Sequence, residues 1–154
     1  MYSRNLLNEK LQDRFLSLID EDEENFVPLS KAYGLKAESE EDKKFKEEEI
    51  SRCSIIACKA PMEIIDISYE AVLIHEQLLS KGSVLLISDV GVGVECLRTS
   101  LKGAYLNVMI NMKTINDKSF VKKNLKEYKD KVDNGLILCD KIYDAVCNKL
   151  SIGE

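Results

Sequence analysis

A carboxylate on the apolar stripe of a helix is the first feature whose type and position suit chemistry. Phe15, Leu18, Asp22, Phe26 and Leu29 recur at three- and four-residue steps, which is the spacing of one helical face. Asp22 is the charged member of that stripe. Desolvation disfavours the ionised form and raises a carboxyl pKa, which suits the group to general acid or base work near neutral pH. Asp20 stands roughly 200° away around the helix and should face elsewhere. The rest of the run Asp20 to Glu24 reads as a solvated face. On spacing alone, Asp22 either exchanges protons or bonds to a neighbouring helix, and both readings stand.

A second group lies between Asp89 and Asn111. Gly93, Ser100 and Asn107 recur at sevens, and Leu97, Ala104 and Asn111 follow the same rhythm. Small residues let another backbone approach. Asn107 and Asn111 are one helical turn apart. Asn is a poor helix former, and a buried amide needs partners. These amides therefore either bond across a helix interface or read a polar ligand. Arg98 and Lys102 are the nearest cations and read as surface charges that an anionic group could meet. His75, on an apolar helix, reads as a packing or surface residue rather than a catalyst. The five cysteines, Cys53, Cys58, Cys96, Cys139 and Cys147, include no CxxC pair. They fall short of the roughly four well-spaced ligands of a structural zinc site and read as buried, reduced thiols.

The elements that must position these residues are helices. The 154 residues hold only seven Gly and two Pro, too few turns for most all-β folds. Helix A is expected over about Ser3 to Tyr33, with Pro28 as a kink and Gly34 as its stop. Ser39, with Asp42 three residues on, caps helix B, which runs from about Glu40 to Lys81, bends at Pro61 and ends at Gly82. Ser88 is the expected N-cap of helix C, with Asp89 in its first turn. Helix C continues to about Met112. Asn116 or Asp117 starts helix D, which reaches about Leu150. Its residues Val121, Leu125, Tyr128, Val132, Gly135, Cys139, Ile142 and Val146 form a heptad seam. The chain is thus expected to be a single all-α domain over residues 1–154, an antiparallel bundle of four long helices. The seam of helix D and the small stripe of helix C offer more apolar surface than four helices can mutually cover, so a homodimer or larger is expected.

Composition narrows the function classes. The net charge is −5, with 22 basic against 27 acidic residues, which argues against an electrostatic nucleic-acid binder. The longest apolar runs, such as Val84 to Ile87, fall far short of the roughly 18 residues that span a bilayer. With no signal-peptide pattern at Met1, a cytoplasmic protein is expected.

Three stretches carry a family resemblance: LIDEDEENF (Leu18 to Phe26), KAPMEIIDIS (Lys59 to Ser68) and SDVGVGVECLRTSLKGAYLNVMINMKTINDKSF (Ser88 to Phe120). Together they resemble the cyclodeaminase/cyclohydrolase family, found as the C-terminal domain of formimidoyltransferase-cyclodeaminase and as free-standing bacterial proteins. The resemblance implies an all-helical, dimeric enzyme of one-carbon tetrahydrofolates. Cyclodeaminases of the family convert 5-formimino-tetrahydrofolate to 5,10-methenyl-tetrahydrofolate and release ammonia. Cyclohydrolase relatives open the methenyl compound to 10-formyl-tetrahydrofolate. The family's catalytic aspartate falls on Asp22, with Asp20 the fallback. The implied substrate contacts are Asp20, Asp89, Arg98, Lys102, Asn107 and Asn111, with Arg98 or Lys102 toward the glutamate tail and the two amides toward the pterin edge. No metal or redox cofactor is implied. Family members open on a Gly-rich motif of PGGGS type before a small-residue helix. That motif has no counterpart in these residues, so a non-catalytic helical interaction protein of the same fold is the alternative.

Overall fold

A computed structural model describes residues 2–81 and 86–151, apart from the side chains of 2–8, 80 and 81. Five helices follow one another: α1 (Tyr2–Tyr33), α2 (Glu40–Ala57), α3 (Lys59–Lys81), α4 (Ile87–Met112) and α5 (Lys118–Leu150). No strand occurs among the described residues. The expected all-α bundle is what forms, and its second rod is divided into α2 and α3 at Cys58. Pro61 supplies the reason. It has no N–H to give the carbonyl of Ala57, four residues back, so one rung of the helical ladder is missing. The neighbouring rungs persist, with Cys58 N donating to Ser54 O at 3.0 Å and Met62 N to Cys58 O at 3.0 Å.

Local chemistry sets the other boundaries. Ser39 and Asp42 form a reciprocal capping box at the start of α2, each side chain accepting from the other's backbone N–H. Asp117 caps α5, its carboxylate accepting from Ser119 N at 2.9 Å and Phe120 N at 3.0 Å. At the end of α1, Gly34 N and Leu35 N donate to Lys31 and Ala32 carbonyls, tightening the last turn. Ser88 does not cap α4. That helix has already begun at Ile87, and Leu86 at the cap position makes no side-chain bond. The expected stop at Gly82 and the link through Leu85 lie outside the described residues.

Helices α3, α4 and α5 enclose the main core, in which Ile65, Val72, Val94, Leu101, Val108 and Ile142 are wholly buried. Burying each such side chain contributes on the order of 1.5–3 kcal/mol. The seam of α5 lies inside this core: Val132, Gly135, Cys139, Ile142 and Val146 are all buried. It is therefore covered by the chain itself and is not the surplus apolar surface that was expected. Helix α5 runs antiparallel to α4, with Gly91 against Val146 and Gly135 against Leu101. It runs parallel to α3, with Lys131 on Asp66, Lys141 on Glu76 at 2.7 Å and Lys149 Nζ on Leu79 O at 2.6 Å.

Small and polar residues zip α2 and α3 against α4. Ser54 faces Thr114, with the hydroxyls 2.6 Å apart. Asn111 reaches the Ala57 carbonyl at 3.1 Å. Ser68 meets Ser100 at 2.8 Å, and His75 fills the space beside Gly93. Each step forward along α2–α3 is matched by an equal step back from the turn at Thr114 along α4, as antiparallel helices in one register require. The sevenfold spacing of Gly93 and Ser100 thus serves helix packing.

Helix α1 lies outside this group and, among the described residues, packs only on α2 and α3. Leu18 sits against Ala60 and Ile67, and Leu29 and Ala32 sit against Cys53 and Ala57. Phe26, expected on the buried stripe, is 52% exposed. Asn25 occupies that turn instead and is half-buried, because a stripe with alternating three- and four-residue steps passes from Asp22 to Asn25 rather than to Phe26. All five cysteines are free thiols, but only Cys53, Cys58 and Cys139 are buried, while Cys96 and Cys147 are exposed. No described helix is long and apolar enough to cross a membrane.

Candidate active site

Asp22 sits between the Leu18 contacts with Ala60 and the Leu29 contacts with Ala57, so it lies over the α2–α3 junction. The residues there are small, which leaves room for a carboxylate at the α1 interface. Asp22 is half-buried, and burial pushes its pKa above the usual carboxylate value. No hydrogen bond or ion pair engages it among the described residues. Of the two readings left open by its spacing, bonding to a neighbouring helix is therefore not the one observed.

The adjacent carboxylate is treated in the opposite way. Arg14 pairs with Glu21 and, across the interface, with Glu63 of α3; its Nη2 lies 3.0 Å from Glu21 Oε2 and 2.6 Å from Glu63 Oε2. Arg14 Nη1 also donates to Ser17 Oγ at 2.9 Å. The guanidinium holds Glu21 below the ordinary glutamate value, chiefly by hydrogen bonding. Its charge is committed to Glu21 and Glu63, and Asp22 keeps no cation. Two neighbouring carboxyls with pKa values pushed apart are the pattern by which acid–base roles are recognised. Sequence reading missed Arg14 and Glu63 in this arrangement. The step from Arg14 through Ser17 to Glu21 was the available signal, since those residues share a helical face.

The other expected residues do not gather around Asp22 within one chain. Asp20 is exposed. Asp89 is exposed in the first turn of α4. Lys102 and Asn107 are exposed on α4. Arg98 is not a free surface charge: only 20% of its side chain is exposed, and it is clamped to Glu95 at 3.0 Å and to Asp140 of α5. Asn111 spends its amide donor on the Ala57 carbonyl, so for this residue the bond across a helix interface is the reading observed. Helices α1 and α4 make no direct contact among the described residues. Because α2 and α3 stand between, Asp22 and the candidate contacts Asp89, Arg98, Lys102, Asn107 and Asn111 lie on separate helices that do not touch within one chain.

His75 is a packing residue, with Nδ1 2.8 Å from the Ala71 carbonyl and its ring against Gly93. It also lines a groove of about 200 Å³ between α1 and α3 with Leu11, Phe15 and Ile74, which does not include Asp22. Among the described residues no three His, Cys, Asp or Glu side chains are grouped to hold a metal ion. Cys58 is inert as a nucleophile, because burial pushes its thiol up to about 12.

A helical bundle hosts many functions, so the sequence itself must decide. Residues 4–130 match the family model of formiminotransferase-cyclodeaminase. The chain belongs to that family. It is 29% identical over 144 residues to a methenyltetrahydrofolate cyclohydrolase of Methylorubrum extorquens, covering 94% of this chain and 69% of the relative. It is 28% identical over 107 residues to the formimidoyltransferase-cyclodeaminase of Sus scrofa, covering 70% of this chain and 20% of that protein. Its fold matches the crystal structure of a formiminotetrahydrofolate cyclodeaminase from Thermotoga maritima with a TM-score of 0.71 at 24% identity, over 92% of this chain and 65% of that one. The chain therefore spans about two thirds of these bacterial relatives and a fifth of the mammalian one. The family is that of the folate one-carbon cyclodeaminases and cyclohydrolases. In it, LIDEDEENF holds a carboxyl group that the structure leaves half-buried without a counter-ion.

Proposed function

We propose that this protein acts on the one-carbon bridge between N5 and N10 of a tetrahydrofolate, with Asp22 as the proton-exchanging group. The family match over residues 4–130 supports the substrate class, and the choice of Asp22 rests on its half-buried place at the α1 interface with no cation beside it among the described residues, while Arg14 is hydrogen-bonded to Glu21 and Glu63. With 5-formimino-tetrahydrofolate, N10 attacks the formimino carbon. The C–N10 bond forms, the bond to the terminal nitrogen breaks, and ammonia leaves carrying the N10 proton and one more. A carboxyl group that can both give and take a proton serves the two transfers. The product is 5,10-methenyl-tetrahydrofolate.

The second reading is methenyltetrahydrofolate cyclohydrolase, favoured by the Methylorubrum relative that matches nearly the whole chain. Water then adds to the methenyl carbon, the C–N5 bond breaks, and N5 takes a proton to leave 10-formyl-tetrahydrofolate. Asp22 would deprotonate the water and return a proton to N5. Neither reaction calls on a metal or a redox cofactor. Both substrates should be offered to the purified full chain, with ammonia release and loss of the methenyl chromophore as readouts. Ammonia from the formimino substrate supports the first reading, and methenyl hydrolysis alone supports the second. Neither activity, together with no saturable binding of 5-formyl-tetrahydrofolate, would leave a non-catalytic helical interaction protein.

A further inference from the structure

Asp22 lies at the edge of the buried stripe of α1, and apolar side chains border its open side. At about 100° per residue, Leu18 and Leu29 fall on one side of Asp22 and Ile19 and Phe26 on the other, each within about 60° of it. Leu18 and Leu29 are buried, whereas Ile19 is 65% exposed and Phe26 52%. Ile19 stands one turn before Asp22 and Phe26 one turn after. At that spacing side chains on a helix surface are neighbours, about 5–6 Å apart between Cβ atoms. An exposed phenylalanine by itself needs no explanation. This one borders a half-buried carboxyl group that no hydrogen bond or ion pair engages among the described residues. Mostly apolar walls with one polar group placed to act are the makeup of a ligand site.

We infer that Phe26 is a specificity-determining contact of this site, its ring stacking on the p-aminobenzoyl ring that N10 of the substrate carries. The inference rests on the folate reading and on Asp22 as the proton-exchanging group. Bond connectivity supplies the argument. The bridge carbon lies between N5 and N10, and N10 is bonded directly to the p-aminobenzoyl ring. A carboxyl group that serves the bridge therefore has that ring within one side-chain length. Aromatic pairs settle offset or edge-to-face, with centroids about 4.5–7 Å apart, and a neighbour four residues from Asp22 is spaced to match. The tetrahydropterin is a poorer partner for Phe26, because its reduced ring is puckered and saturated at C6 and C7. Those aliphatic carbons suit Ile19, at the opposite end of Asp22. The α1 face thus sets which way round the substrate lies against the carboxyl group.

Two ligands separate this contact from mere packing. The first, 5-formyl-tetrahydropteroate, keeps the ring on N10 and lacks the glutamate. The second, 5-formyl-6-methyl-tetrahydropterin, lacks both N10 and the ring. Calorimetric titration of the full chain should show the parent preferring the first. Phe26→Leu, which keeps an apolar side chain but no ring, should weaken the first by about 10-fold and the second by less than about twofold. Phe26→Tyr, which keeps the ring, should retain the parent's preference. The chain has no tryptophan, so Phe26→Trp places a single fluorescent reporter at the contact. The pteroate compound should quench it and the pterin should not. Tyr33→Trp, at an exposed position of α1 about three turns beyond Asp22, should respond to neither.

If Phe26→Leu loses its helical circular dichroism, the parent's preference and the tryptophan reporter decide. A parent that binds neither compound removes the folate reading and this contact with it. A parent that binds both equally, a Phe26→Leu protein that weakens both alike or keeps the full preference, or an unquenched Phe26→Trp would overturn the contact alone.

Discussion

The side-chain amide of Asn111 donates to the backbone carbonyl of Ala57 at 3.1 Å. That is the carbonyl Pro61 leaves without its helical donor. A residue on α4 thereby mends the break between α2 and α3, over which Asp22 sits. Asn111→Ala should destabilise the fold by about 1–3 kcal/mol, the penalty for an unsatisfied buried acceptor. Pro61→Ala restores the missing N–H, so adding Asn111→Ala to it should have a much smaller effect. Urea unfolding of the four proteins in this cycle measures the coupling.

Two glycines hold helices at close range. A Cβ on Gly93 would stand 2.4 Å from His75 Nε2, and one on Gly135 would stand 2.7 Å from Leu101 Cδ1 and 3.3 Å from Tyr69 Cδ2. Gly93→Ala and Gly135→Ala should each lower stability by about 1–3 kcal/mol through overpacking, despite the better helix propensity of alanine. Thermal unfolding gives the sign, and a stabilised Gly135→Ala protein would contradict this packing.

Arg98 separates a structural role from a substrate contact. Its guanidinium joins Glu95 and Asp140, and its stem is largely buried. Arg98→Ala should reduce stability by about 1 kcal/mol, from a partly exposed pair together with lost packing. Lys102→Ala should leave stability within about 0.5 kcal/mol. A raised KM with unchanged stability for Arg98→Ala would return that residue to the substrate.

Glu21 and Asp22 should give opposite pH dependences. The folded pKa of Asp22 is raised, so the native state holds the proton more tightly. Its stabilisation is present below the ordinary aspartate value and is lost as pH rises through the folded pKa. Asp22→Asn should therefore gain stability over the parent as pH climbs through that window. Glu21 is lowered by Arg14. Its contribution is present above the ordinary glutamate value and is lost as pH falls through the folded pKa, so Glu21→Gln should be the less stable protein at neutral pH and converge on the parent in acid. Urea midpoints from about pH 3 to 8 resolve both signs.

Much of the fold was legible because local chemistry marks helix ends. The Ser39–Asp42 box and the Asp117 cap are read from residues three apart or closer, and the α5 seam from its period. Pro61 announced a bend, but the division at Cys58 depends on which rungs survive. Phe26 lies off the buried stripe because spacing allows a step of four from Asp22, whereas packing selects the step of three to Asn25. Asp22 stood out as a carboxylate on an apolar stripe. Its surroundings did not, since the Arg14–Glu63 contact joins residues 49 apart and the Arg98–Asp140 contact joins residues 42 apart. Pairings at that range come from helix packing and leave no periodic mark. The same packing decided the fate of Asn111, whose partner is a backbone carbonyl freed by a proline fifty residues earlier.

Turnover of Asp22→Asn beside Asp20→Asn, with either folate substrate, tests whether Asp22 exchanges the proton. Asn is nearly isosteric but cannot exchange a proton near neutral pH. Asp22→Asn should lower kcat by about 10²–10⁴-fold with circular dichroism unchanged, and Asp20→Asn, on the exposed face, should remain within a few-fold of the parent. An Asp22→Asn protein with full turnover, or an Asp20→Asn protein that loses it, would contradict the assignment.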